Sequence, residues 1–200
     1  MKKGLIIFLV VVGVLLIVGI GFYGLFKGTY NNMVERNEQM DGQWAQVENS
    51  YQRRADLIPN LVSTVKGYAD FEQETLTQVI EARAKATSVN INPENMTPDM
   101  LQQFQSAQDG LGSALSRLMV VVEQYPELKA NTNFLDLQAQ LEGTENRISL
   151  ERRKFNEVTQ SYNAYIKKFP QFIFANWYNF EPRPYFKSIA GAETAPEVQF

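Results

Sequence analysis

Between Phe134 and Phe169 the chain places Phe134, Leu137, Leu141, Thr144, Ile148, Phe155, Val158, Tyr162, Tyr165 and Phe169 at alternating steps of three and four. One place in the series is skipped, at Glu151. Only a helix brings such a set onto one side of the backbone, and strict three-four alternation is the seam pattern of a coiled coil or helical bundle. At about 1.5 Å per residue the stretch to Lys168 is roughly 50 Å long. Pro170 closes it, since proline lacks the helical N–H and clashes with the preceding turn.

Three further helical stretches accompany this one. The first carries Tyr30, Val34, Trp44, Val47, Tyr51 and Ile58 at helical intervals, and Pro59 is expected to end or kink it. The second is expected from about Asn60 to Ser88, with Leu61, Val65, Tyr68, Leu76, Val79 and Ala86 as its stripe. The third starts at Thr97-Pro98-Asp99, which reads as an N-cap, a proline at the first helical position and an acid in the first turn. It continues through Leu101, Phe104, Leu111, Leu115, Leu118, Val122 and Tyr125 until Pro126 stops it, weakened locally by Gly110 and Gly112. Short connections between amphipathic helices imply antiparallel neighbours. The fold class is therefore all-α: an elongated up-down bundle of about four long helices.

The N-terminus supplies a different element. Lys2-Lys3 is followed by an apolar run from Gly4 to Phe26 and then Lys27. As a helix, a run of about 23 residues reaches roughly 35 Å, enough for a hydrocarbon core of about 30 Å. It is longer than the apolar region of a secretory signal and ends in aromatics where a cleavage site needs small residues. A retained single-pass anchor follows, with Phe22, Tyr23 and Phe26 at the membrane interface. Gly13, Gly21, Gly24 and Gly28 share one helical face, and Gly24 with Gly28 forms a G-x-x-x-G that permits close helix approach. The chain thus divides into an anchor at 1–28, a helical bundle at 29–170 and an aromatic, proline-containing tail at 171–200. Basic residues slightly favour the N-terminal side of the run, which puts the bundle outside the plasma membrane; the cytoplasmic side is the alternative.

Composition limits the chemistry. The chain has no histidine and no cysteine, which removes thiolate and imidazole metal sites, disulfides, and Ser-His-Asp or Cys-His nucleophiles. The balance of 19 basic against 22 acidic residues gives no basic footprint for nucleic acid. The carboxylates Asp70, Glu72, Glu74, Glu142, Glu145 and Glu151 fall at spacings typical of a solvated helix face. No catalytic, cofactor-binding or metal-ligating residue is assigned, and no cofactor is expected.

Several short motifs occur together: Arg53-Arg54-Ala55-Asp56-Leu57-Ile58-Pro59-Asn60, Glu123-Gln124-Tyr125-Pro126-Glu127, Thr144-Glu145-Asn146-Arg147-Ile148, and the pairs Phe155-Asn156, Tyr162-Asn163 and Phe169-Pro170. In this order they resemble the LemA family of bacterial membrane-anchored proteins, over nearly the whole chain. The resemblance implies one N-terminal membrane helix, a long antiparallel helical domain, and an association with membrane-protein quality control that includes a membrane metalloprotease. It also implies a relative at magnetosome membranes, and a large domain commonly placed in the cytoplasm.

The residues themselves read mainly as architecture. Pro59 turns the chain, Asn60 caps the next helix, and Arg53 or Arg54 pairs with Asp56 or with freed carbonyls. Tyr125-Pro126 marks a corner after which Asn131 or Asn133 caps a helix. Asn156 and Asn163, seven apart, share a face and fix register, within the bundle or between protomers. The tail beyond Pro182 and Pro184 has two readings. Tyr185, Phe186 and Phe200 fold back on the seam, or Val198-x-Phe200 with its carboxylate serves as a β-strand ligand. The expected function is a non-enzymatic membrane scaffold or adaptor that contacts lipid bilayer and other membrane proteins and self-associates. A structural membrane-organising role through lateral oligomers is the alternative.

Overall fold

The three-four stripe from Phe134 to Tyr165 folds as one helix, Thr132–Lys167, within a computed structural model that describes residues 2–67 and 72–187; Phe169, the last of the stripe, lies beyond the helix end. In chain order the helices are α1 (Lys2–Lys66), α2 (Gln73–Ser88), α3 (Pro98–Val122), α4 (Pro126–Lys129), α5 (Thr132–Lys167) and α6 (Gln171–Trp177), with a 3-10 turn at Pro93–Asn95. No strand occurs among the described residues. Side-chain caps set two of the starts. Thr97 Oγ1 accepts the Met100 N–H at 3.2 Å ahead of α3, and Asn131 Oδ1 accepts the Phe134 N–H at 3.1 Å ahead of α5.

Pro59 does not end a helix: α1 continues through it to Lys66. The proline deprives the Ala55 carbonyl of its intrahelical donor, and Arg83 of α2 supplies the replacement, Nε to the Ala55 oxygen at 2.8 Å. With that acceptor satisfied, the helix has no unpaired group to stop at. Asn60 therefore sits inside α1 rather than capping a new helix, and its carbonyl accepts from the Thr64 hydroxyl at 2.9 Å. The expected second helix from Asn60 to Ser88 is divided accordingly, Leu61 and Val65 belonging to α1 and Leu76, Val79 and Ala86 to α2. Tyr68 and Asp70 lie outside the described residues. Two short helices, α4 and α6, were not legible in the sequence.

The chain forms two compact units, Met1–Met40 with Gln160–Pro182, and Asp41–Thr159 with Arg183–Phe200. In the second, antiparallel neighbours are set by Gln43–Glu151 and Arg54–Glu145 between α1 and α5, and by Gln78–Arg117 and Ala86–Gln108 between α2 and α3. Its core joins Ile58, Leu61 and Val65 to Leu76 and Val79, Leu111 and Leu118, Leu128, and Phe134, Leu137 and Leu141. A second cluster centres on Trp44, which meets Phe104, Phe155 and Phe186 at ring-centroid distances of 5.3, 5.5 and 5.9 Å. Phe186 is the tail residue that folds back, 5% exposed, while Tyr185 remains 41% exposed. Val198 and Phe200 lie outside the described residues. In the other unit, Met33, Tyr162, Ile166, Phe174 and Ala175 are buried together, with Phe26, Tyr165 and Phe180 packed around them.

The first part of α1 is apolar and unpacked: Leu5 to Leu25 expose their large side chains, Ile17 by 73%. Among the described residues one helix is long and apolar enough to cross a membrane, and it is this one. In water such a surface is strongly unfavourable; in hydrocarbon it is solvated. The chain fits a single-pass membrane protein.

Candidate functional site

Arg54 organises the bundle. It is 4% exposed, and burying a guanidinium demands partners for its fork of donors. Nη1 donates to Glu145 Oε2 of α5 at 2.9 Å, and Nη2 donates to Gln108 Oε1 and the Gln108 carbonyl of α3 at 2.8 and 3.0 Å. The Gln108 amide in turn donates to the Ala86 carbonyl near the end of α2, at 3.1 Å. One polar chain thus joins all four main helices. The guanidinium also lies over the Tyr51 ring, 5.2 Å from its centroid. Burial pushes the Tyr51 phenol up, against the opposing pull of Arg152 and Arg54. Gln108 carried no signal in the sequence, because a glutamine in an amphipathic helix looks like any other polar spacer.

Asp56 is not Arg54's partner. It is exposed on α1 and accepts from Gln52 Nε2 at 2.7 Å, a local contact within the same helix. Arg53 is exposed and lines an open groove of about 510 Å³ between α1 and α5, with Gln46, Asn49, Gln140 and Arg147. Asn146 is exposed beside it on α5. The first and third motifs therefore meet twice, once where the buried Arg54 reaches the exposed Glu145 and once across this polar groove.

The skipped place in the stripe is a buried carboxylate rather than a solvated one. Glu151 is 1% exposed and sits in the seam. Gln43 Nε2 donates to it at 2.7 Å, while Arg147 Nε and Lys154 Nζ lie 2.8 and 3.2 Å away. Burial alone would raise its pKa, but the hydrogen bonds from Gln43 and Lys154 and the charges of Lys154 and Arg147 together hold it below the ordinary carboxylate value.

Asn156 binds backbone. Its Nδ2 donates to the Phe186 carbonyl at 3.0 Å and its Oδ1 accepts the Phe186 N–H at 2.9 Å, the pairing a β-strand neighbour would make. Arg152 covers the same ring, 4.8 Å from its centroid. Asn163, seven residues on, is buried in the other unit near Tyr162, whose hydroxyl donates to the Glu181 carbonyl at 3.1 Å. At the remaining motif, Tyr125 and Pro126 start α4: Pro126 occupies the first helical position and the Tyr125 carbonyl accepts the Lys129 N–H at 3.0 Å.

On the anchor, a Cβ added at Gly13, Gly21, Gly24 or Gly28 meets nothing within 4 Å. At 3.6 residues per turn these glycines lie roughly opposite Phe26, Tyr30 and Met33, the residues of α1 that pack in that unit. The small-residue face is therefore left open by the chain's own packing.

The chain matches known proteins over most of its length. The LemA family profile matches residues 43–200. Protein LemA of Metamycoplasma hominis is 24% identical over 155 residues, which cover 78% of this chain and 67% of that protein. Magnetosome protein MamQ 2 of Paramagnetospirillum magneticum is 26% identical over 203 residues, covering 93% of this chain and 74% of its own. Magnetosome protein MamQ of Magnetospirillum gryphiswaldense is 26% identical over 184 residues, covering 82% and 67%. The matched span takes in the buried arginine network, the polar groove and the asparagine clamp, and by it the chain belongs to the LemA family.

Proposed function

We propose that this LemA-family protein is a non-enzymatic scaffold or adaptor, held in the bacterial plasma membrane by α1, that acts by contacting other membrane proteins. The carrying observation is how the family motif residues are divided. Arg54, Glu145 and Asn156 are used up in holding the bundle together, whereas Arg53 lines the open groove between α1 and α5 beside Arg147, whose Nε is paired with Glu151. Planar guanidinium groups on a polar groove suit carboxylate-bearing partner segments, including those of a membrane protease complex. Glu145 and Glu151 are tied into ion pairs with Arg54, Arg147 and Lys154, an arrangement that favours a structural over an acid–base role. The test is a photo-crosslinking residue in place of Asn49, in the groove, compared with one in place of Glu81, exposed on α2. Discrete heavy adducts from position 49 alone are expected in native membranes; monomer at both positions overturns the adaptor reading.

The alternative, a lateral organiser that self-associates in the bilayer, is favoured by the open glycine face of Gly13, Gly21, Gly24 and Gly28 and by the magnetosome names of two relatives. Gly24→Leu with Gly28→Leu should then dissolve detergent-resistant oligomers without altering the groove adducts. For the side of the membrane, the basic residues at Lys2 and Lys3 favour a bundle outside the cytoplasm.

A further inference from the structure

In the unit that holds the end of the anchor, aromatic side chains form two layers. The inner layer is packed: Phe26 meets Phe174 and Tyr178 at centroid distances of 5.5 and 5.9 Å, and Tyr30 meets Tyr178 and Phe180 at 5.0 and 6.0 Å. The outer layer is not. Phe169, Phe172 and Trp177 are 78, 44 and 66% exposed. Trp177 joins the inner layer through Phe174 at 5.9 Å, and Phe169 lies against Phe172 at 6.2 Å. The turn that holds them there is well formed. Asn179 adopts the left-handed conformation (φ 55°), and the Phe180 N–H closes α6 onto the Ala175 carbonyl at 2.9 Å, the Schellman pattern.

Phe26 is the last residue of the apolar run, so whatever packs on it stands at the edge of the hydrocarbon core. Trp and Tyr are the residues that water–lipid interfaces favour, and lysines beside them reach the headgroups. Lys27, Lys167 and Lys168 are exposed in this same unit, with Glu181 as the exposed acid next to the aromatic turn. We propose that Lys167 to Tyr178 form a second membrane contact, in which Phe169, Phe172 and Trp177 insert at the headgroup–acyl boundary beside the exit of α1 and the lysines meet anionic lipid. The proposal rests on α1 spanning the membrane. It adds that the C-terminal part of the chain returns to the same leaflet and clamps the anchor at its exit.

The two tryptophans make the test direct. Trp44→Phe leaves Trp177 as the sole indole, and Trp177→Phe leaves the buried Trp44 as its control. The full chain is reconstituted in phosphatidylcholine–phosphatidylglycerol vesicles and recovered by flotation after an alkaline wash. The expected result is blue-shifted Trp177 emission that is quenched by lipids brominated high on the acyl chain, less by lipids brominated near the terminal methyl, while Trp44 is untouched by either. If Trp44→Phe fails to fold, the same signal is read as the difference between the native chain and Trp177→Phe. Three results overturn the proposal. Quenching of Trp177 by aqueous iodide but not by brominated lipid places it in water. Protection from both places it against protein. A chain that fails to float removes the anchor reading and this contact with it, whereas a chain that floats with Trp177 in water leaves the anchor standing.

Discussion

Arg54, Glu151 and Pro59 show how much a single residue's role depends on what lies across from it. Arg54→Ala leaves the two Gln108 acceptors unpaired inside the bundle, at about 1–3 kcal/mol each. Glu145, whose side chain is 58% exposed, returns to water on losing its partner. Chemical denaturation should therefore show Arg54→Ala and Gln108→Ala both clearly destabilised, Arg54→Ala by about 3 kcal/mol. Glu151 sets an acid limit. Its folded pKa lies below the ordinary 4.5, so its contribution is present above that value and is lost as pH falls through the depressed one. Thermal melts of the native chain should lose stability below about pH 4.5, and Glu151→Gln should flatten that part of the curve. At Pro59 the predicted coupling is with Arg83. Arg83→Ala orphans the Ala55 carbonyl and should cost about 1–3 kcal/mol. In a Pro59→Ala background, where residue 59 again has an N–H to offer, the cost should shrink by most of that amount, as a double-mutant cycle would read.

Among the elements, the segment after Pro182 is held by side chains of a helix rather than by a strand. Phe186→Ala removes a buried ring from the Trp44 cluster and should cost about 3–5 kcal/mol. Asn156→Ala removes both bonds to the Phe186 backbone and should cost about 1–3 kcal/mol. Because both act on one contact, their sum should overshoot the double variant. Additive losses would show that clamp and ring act separately. Helix α5 is the complementary case. Its seam residues Phe134, Leu137, Leu141, Ile148, Phe155 and Tyr162 are buried as the period places them. Beyond Phe155, however, Thr159 and Ile166 are buried where Val158 and Tyr165 were expected, and Phe169 is 78% exposed past the helix end. The same period passes through Glu151, where the carboxylate broke the apolar pattern without breaking the helix.

For the whole molecule, the apolar first part of α1 suits a membrane span, and the remaining helices build a bundle whose core holds no disulfide, since the chain has no cysteine. The absence of native cysteine makes topology accessible to a single thiol. Ser63 is exposed on α1, and Ser63→Cys should be labelled by an impermeant maleimide on intact spheroplasts if the bundle lies outside. Labelling only after lysis would put it in the cytoplasm.

Local pattern acts along one chain, and the sequence by itself determined what local pattern can carry: the long apolar N-terminal helix, most of the helix stripes, the cap at Thr97, a cap at Asn131 or Asn133 that the structure assigns to Asn131, and the all-α class. Pro59 was expected to end or kink the first helix and does not end it: a proline signals only the lost N–H, while the Arg83 donor that repairs the loss comes from another helix. Arg54 was legible as a motif residue, but its partners Glu145 and Gln108 are 91 and 54 positions away. Asn156 and Phe186 were likewise each visible, and their pairing was not. Tertiary structure decided these matters because a buried polar group is satisfied by whichever donor or acceptor the packing brings within about 3 Å, and local sequence does not record that choice.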